Sequence, residues 1–133
     1  MKKVKFLMIA LMLSVSAMVS AQTKAEVAEI LEEFCAANYN ECFDPRQYVE
    51  GTLVVKTLML DRANNKIKVT GTHTCRGQSI MGHRETYSGR EFKAELKLSQ
   101  YGYDIKFWRL YKADFPWQTD RYEGPCQGTI MKE

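Results

Sequence analysis

Apolar residues recur at three- and four-residue spacing early in the chain and at every second position later on. Val27, Ile30, Leu31, Phe34 and Ala37 share one side of a helical repeat, with Lys24, Glu29, Glu32 and Glu33 on the other. That is the pattern of a helix that lays one stripe on a core. Thr23-Lys24-Ala25-Glu26 has the form of a capping box, in which the Thr23 hydroxyl accepts from the Glu26 amide and the Glu26 carboxylate accepts from the Thr23 amide. Asparagine tolerates the left-handed turn that ends helices, so the helix is expected to stop around Asn38 to Asn40.

Beyond Asp44-Pro45 the period changes to two. Thr52 to Leu60 is rich in Val, Leu and Thr with apolar residues on both sides, and reads as a more buried strand. Lys66 to Cys75 alternates, with Ile67, Val69, Gly71, His73 and Cys75 on one face and lysine and threonine on the other. Glu91 to Leu98 repeats the plan, Phe92, Ala94, Leu96 and Leu98 pointing inward. After a turn at Gln100-Tyr101-Gly102, Tyr103, Ile105 and Phe107 continue the inward face to about Tyr111. Pro116, Gly124 and Pro125 interrupt the last stretch before a short run from Cys126 to Met131, read as an edge strand. These elements predict an α+β domain: one N-terminal helix packed on an antiparallel meander sheet of four to five strands, stabilised by disulfides. The element order resembles that of cystatin-like and NTF2-like rolls, a likeness of architecture that assigns no function.

The first residues follow another plan. Lys2, Lys3 and Lys5 precede an apolar run of 14 residues, Phe6 to Val19, broken only by Ser14 and Ser16 and closed by Ser20 and Ala21. This is the layout of a secretory signal, shorter than the roughly 20 residues of a membrane-spanning helix. Residues 1–21 are read as a cleaved signal peptide, and 22–133 as a single domain with no membrane insertion after cleavage. The expected location is secreted or periplasmic. Removing the three signal lysines lowers Lys+Arg from 19 to 16, against 16 Asp+Glu. A neutral mature chain carries no electrostatic footprint for nucleic acid.

An oxidising destination makes disulfides the default for Cys35, Cys42, Cys75 and Cys126. Cys35 and Cys42 are close in sequence, which predicts bonds 35–42 and 75–126.

Two regions carry candidate chemistry. The segment from His73 to Glu91 holds both histidines with Arg76, Arg84, Glu85, Tyr87 and Arg90. It reads either as a rim that presents Arg76, His83, Arg84 and Tyr87 to a partner or as a solvated hairpin tip. His73 falls on the inward face, where it is either a satisfied core residue or a base beside Tyr87 or Glu85. Two histidines without Cys-x-x-Cys or His-Glu-x-x-His spacing give no metal site, and no cofactor motif or nucleophile elbow occurs. In the second region, alternation turns Trp108 and Leu110 away from Phe107, onto a face that carries lysine and glutamate. Trp108 and Leu110 make an apolar spot there, and tryptophan, tyrosine and arginine, which this region holds at Trp108, Arg109, Tyr111 and Trp117, are the residue types enriched at protein-binding hot spots. The alternative is a satellite core, with the chain from Lys112 to Tyr122 folded over both tryptophans.

The leading expectation is a small exported non-catalytic binding domain, an inhibitor or accessory protein acting on an envelope or extracellular protein. Two others compete with it. One is a small apolar ligand held in a cavity lined by Phe34, Phe92, Tyr103 and Phe107. The other is a hydrolase-like enzyme using His73.

Overall fold

The computed structural model describes residues 23–78, 84–112 and 116–131. The signal-like segment, Gln22, His83 and Phe115 lie outside the described residues.

One helix packs on an antiparallel sheet. Helix α1, Lys24–Cys42, opens with the expected capping box: the Thr23 amide donates to Glu26 Oε1 at 2.8 Å and the Glu26 amide to Thr23 Oγ1 at 3.1 Å. It runs past the asparagines expected to end it. Their side chains bond elsewhere, Asn38 Nδ2 donating to the Phe34 carbonyl at 3.0 Å and Asn40 Oδ1 accepting from the Tyr48 amide at 2.8 Å. The added turn carries Tyr39 into the core.

Six strands follow: β1 Gln47–Tyr48, β2 Val54–Asp61, β3 Lys66–Gln78, β4 Arg84–Leu98, β5 Gly102–Tyr111 and β6 Arg121–Met131. Strands β3 to β6 are neighbours in chain order, while β1 and β2 both pair with β3 along one edge. The two-residue β1 lies in a stretch without strand periodicity, and it takes the count past the expected four to five. Helix α1 touches β1 and β2 at one edge and β6 at the other. The sheet therefore curls around it, as its intrinsic twist favours.

Alternation held for the inward faces. Ile67, Val69, His73, Cys75, Phe92, Ala94, Leu96, Leu98, Tyr103, Ile105 and Phe107 are buried with Val27, Leu31 and Phe34 of α1. Strand β2 differs from its reading as a buried strand, for Met59 is 66% exposed and Val54 also faces solvent. Among the described residues it is an edge strand that pairs with β3 alone, which leaves one side of it open. The four rings expected to line a cavity, Phe34, Phe92, Tyr103 and Phe107, are buried members of the core cluster. Phe92 stacks on Phe107 at 4.9 Å, Phe34 meets Phe107 at 6.5 Å, and Tyr103 is buried farther along β5, opposite Leu98.

The cysteine pairing departs from expectation. The disulfide joins Cys42 to Cys126, with Cα atoms 5.6 Å apart, and Cys35 and Cys75 are free and buried. Because the helix continues, Cys35 and Cys42 lie two turns apart, about 10 Å along the axis and beyond the reach of a disulfide. Strands β4 and β5 separate Cys75 from Cys126, roughly 14 Å along the sheet. The bond formed ties the end of α1 to edge strand β6.

Candidate binding surface and buried polar cluster

His73 sits near the middle of the core, 1% exposed. Its Nδ1 is 2.9 Å from the Arg90 carbonyl oxygen and its Nε2 is 2.8 Å from Tyr39 Oη. A carbonyl can only accept, so Nδ1 carries the proton and Nε2 accepts from the tyrosine. Tyr39 Oη in turn accepts from Arg109 Nε at 3.0 Å, and Arg109 Nη1 donates to Glu123. Arg109 is 2% exposed, and the Cys75 thiol lies against the Tyr39 hydroxyl. Among the described residues no buried side-chain polar atom lacks a partner.

This order of donors fixes the protonation states. Burial lowers the His73 pKa to about 4, helped by the nearby Arg109 and Arg90 charges and opposed by the bond to the Arg90 carbonyl. Burial also pushes the Tyr39 hydroxyl well above its ordinary value, so it remains a donor. The Cys35 thiol is raised by burial and by Glu32, which keeps it protonated and a poor nucleophile. The cluster holds the neutral His73 and Tyr39 against the Arg109–Glu123 ion pair, and its geometry serves to fasten α1 to β3, β4 and β5. His73 bonds neither Tyr87 nor Glu85; Tyr87 Oη donates to Glu85 Oε1 at 2.8 Å. The hydrogen bonds that a His73-based catalytic pair would need are therefore made to other groups. Among the described residues no three histidine, cysteine or carboxylate side chains converge as metal ligands.

The outward face of the sheet has two ends of different character. Where β3 to β6 pass Lys66, Glu95, Lys97, Asp104, Lys106 and Gln127, they form an open charged trough of about 500 Å³. A pair at 3.4 Å, Lys66 Nζ to Glu95, spans two of its strands. At the other end the side chains become aromatic. Lys93 lies opposite Trp108 in register, and Leu110 opposite Tyr122. The Lys93 ammonium is 5.2 Å from the Trp108 ring and 4.7 Å from the Tyr122 ring, so it bridges the two π faces. Trp108 and Leu110 are half-buried, Tyr122 is 40% exposed, and Arg121 lies over the Tyr111 ring at 4.5 Å.

Trp117, on the connection from β5 to β6, is 77% exposed, so that connection does not bury it as a satellite core would require. Tyr122 belongs to the aromatic patch but was not singled out from the sequence. Gly124 and Pro125 break the alternation between Tyr122 and Cys126 and so conceal that β6 begins at Arg121. The rim residues separate: Tyr87 packs inward against the core, Arg76 is exposed on the opposite face, and Arg84 opens β4.

No helix among the described residues is long and apolar enough to cross a membrane. The chain matches no family model, and comparison with curated proteins and with solved structures finds no similar protein.

Proposed function

We propose that this protein is a small exported, non-catalytic binding domain that engages a protein partner in the periplasm or outside the cell. Export rests on the signal-like residues 1–21. Their removal would leave α1 at the start of the mature domain, followed by β1, β2 and the β3-to-β6 meander. The observation that carries the binding reading is the outward aromatic end of the sheet, where Trp108 and Tyr122 flank Lys93 and Leu110 lies opposite Tyr122. Such a group offers large, rigid contact area, and its tryptophan and tyrosine are among the residue types enriched at interface hot spots. The polar cluster around His73 supports the same reading from the other side, because its groups are buried and mutually bonded.

The test is affinity capture of the tagged mature protein from the envelope fraction and medium of its own source, with the Trp108→Ala variant alongside. The expected result is one protein enriched by the parent domain and lost, by about tenfold or more, with the variant. Equal recovery by both would remove the outward face as the binding surface.

A further inference from the structure

A second site lies at the end of the inward face, beyond the tip of α1, and it does not depend on the aromatic patch. Arg46 and Arg90 both stack on the ring of Tyr87, each guanidinium carbon 4.9 Å from the ring centroid. Two groups at that distance from one point are no more than about 10 Å apart, close enough for like charges to repel. Both arginines are half-buried, and among the described residues neither forms an ion pair with a carboxylate. The Glu85 carboxylate accepts from the Tyr87 hydroxyl at 2.8 Å.

The backbone is shaped to make this arrangement. Tyr87 and Arg90 are three residues apart, and in a regular strand they would face opposite ways. Between the pairs His73–Arg90 and Cys75–Tyr87, strand β3 has one residue and β4 has two, a bulge with Gly89 at φ 65°. The extra residue turns Tyr87 and Arg90 to the same side. His73 Nδ1, donating to the Arg90 carbonyl, holds the bulge in place. Across the strand pair, Gly77 lets Arg46 lie flat. A Cβ there would come within 2.9 Å of Arg46 Cδ and 3.3 Å of the Tyr87 ring. The Arg46 amide donates to the Phe43 carbonyl at 2.7 Å, which fixes the loop that delivers the side chain.

We propose that Arg46, Arg90 and Tyr87 form a binding site for a doubly charged oxyanion, a phosphate or sulfate group, free or carried as an ester on a larger ligand. Stacking restrains each guanidinium and leaves its N–H edge for oxygen acceptors, the geometry by which arginine recognises such groups. With Glu85 at the ring's hydroxyl the pair of guanidiniums keeps a net positive charge, and a phosphate or sulfate group meets their N–H edges with more oxygens than a single carboxylate offers.

The experiment follows backbone amide and arginine Nε–H resonances of the mature protein during titration with inorganic phosphate, with sulfate and with acetate at constant ionic strength. Saturable shifts centred on Arg46, Tyr87 and Arg90 are expected with phosphate and sulfate, and weaker ones with acetate. Arg46→Gln and Arg90→Gln should each weaken phosphate binding about ten- to hundredfold. Arg76→Gln removes the same charge from the opposite face and should leave the affinity nearly unchanged, as should Trp108→Ala. A glycerol phosphate ester binding as well as the free ion would point to an esterified ligand; tighter binding of the free ion would point to the ion itself. Non-saturating shifts in the parent protein, equal effects of acetate, or equal losses in the Arg76 variant would each overturn the proposal. The titration of the parent protein stands even where a variant fails to fold.

Discussion

His73 ties the acid sensitivity of the fold to one side chain. Its pKa of about 4 in the folded protein lies below the ordinary value near 6.5 that it takes in the unfolded chain. Between those values the unfolded chain binds more protons, so the stability contributed by the neutral imidazole is complete above about pH 6.5 and declines as pH falls toward 4. Across that window the loss is about 3 kcal/mol. A ring-proton titration by NMR is expected to show His73 neutral at pH 6 with a midpoint near 4; an ordinary midpoint would contradict the buried, donor-fixed state described here. The inward position of His73 was legible because β3 alternates without a break from Ile67 to His73. Its partner was not, since Tyr39 lies on the turn that asparagine was expected to terminate. Arg109 also fell on an inward position, next but one to Phe107. A lone arginine in a core is unfavourable on its own, and the Glu123 that neutralises it comes from a strand whose start the proline and glycine concealed.

Single elements are decided by contacts that periodicity does not contain. The capping box was readable because both of its bonds lie within four residues. The disulfide was not, because the choice among cysteines depends on where α1 ends and on how far the sheet curls. Peptide mapping without reductant is expected to recover Cys42 joined to Cys126, with Cys35 and Cys75 alkylated only after unfolding. A 35–42 linked peptide would contradict the continued helix. Closing 84 residues of chain, the bond is expected to contribute about 4.5 kcal/mol in the chain-entropy picture, read as the drop in unfolding free energy of the Cys42→Ala/Cys126→Ala variant. Strand β2 shows the same limit, since a run of Val and Leu looks buried whether it lies inside a sheet or along its edge. The bulge at Gly89 is also a pairing event. Its glycine is visible in the sequence, but the one-against-two count across the strands is not.

At the scale of the whole molecule, the inward face is committed to one core, and the outward face is left to divide into a charged trough and an aromatic end. That division was legible in part. Trp108 and Leu110 were placed outward by alternation with Phe107, while the Lys93 bridge and Tyr122 required the register of three strands. If the chain is exported as proposed, the protein purified from its own source begins at Gln22, which intact-mass measurement of the mature chain checks; retention of Met1 would contradict export by cleavage. The binding claim is tested most directly by hydroxyl-radical footprinting of the mature protein alone and in complex with the captured partner. The expected result is joint protection of Trp108, Leu110 and Tyr122, with Met59 on edge strand β2 labelled as before. Unchanged labelling of those three residues in the complex would contradict the account.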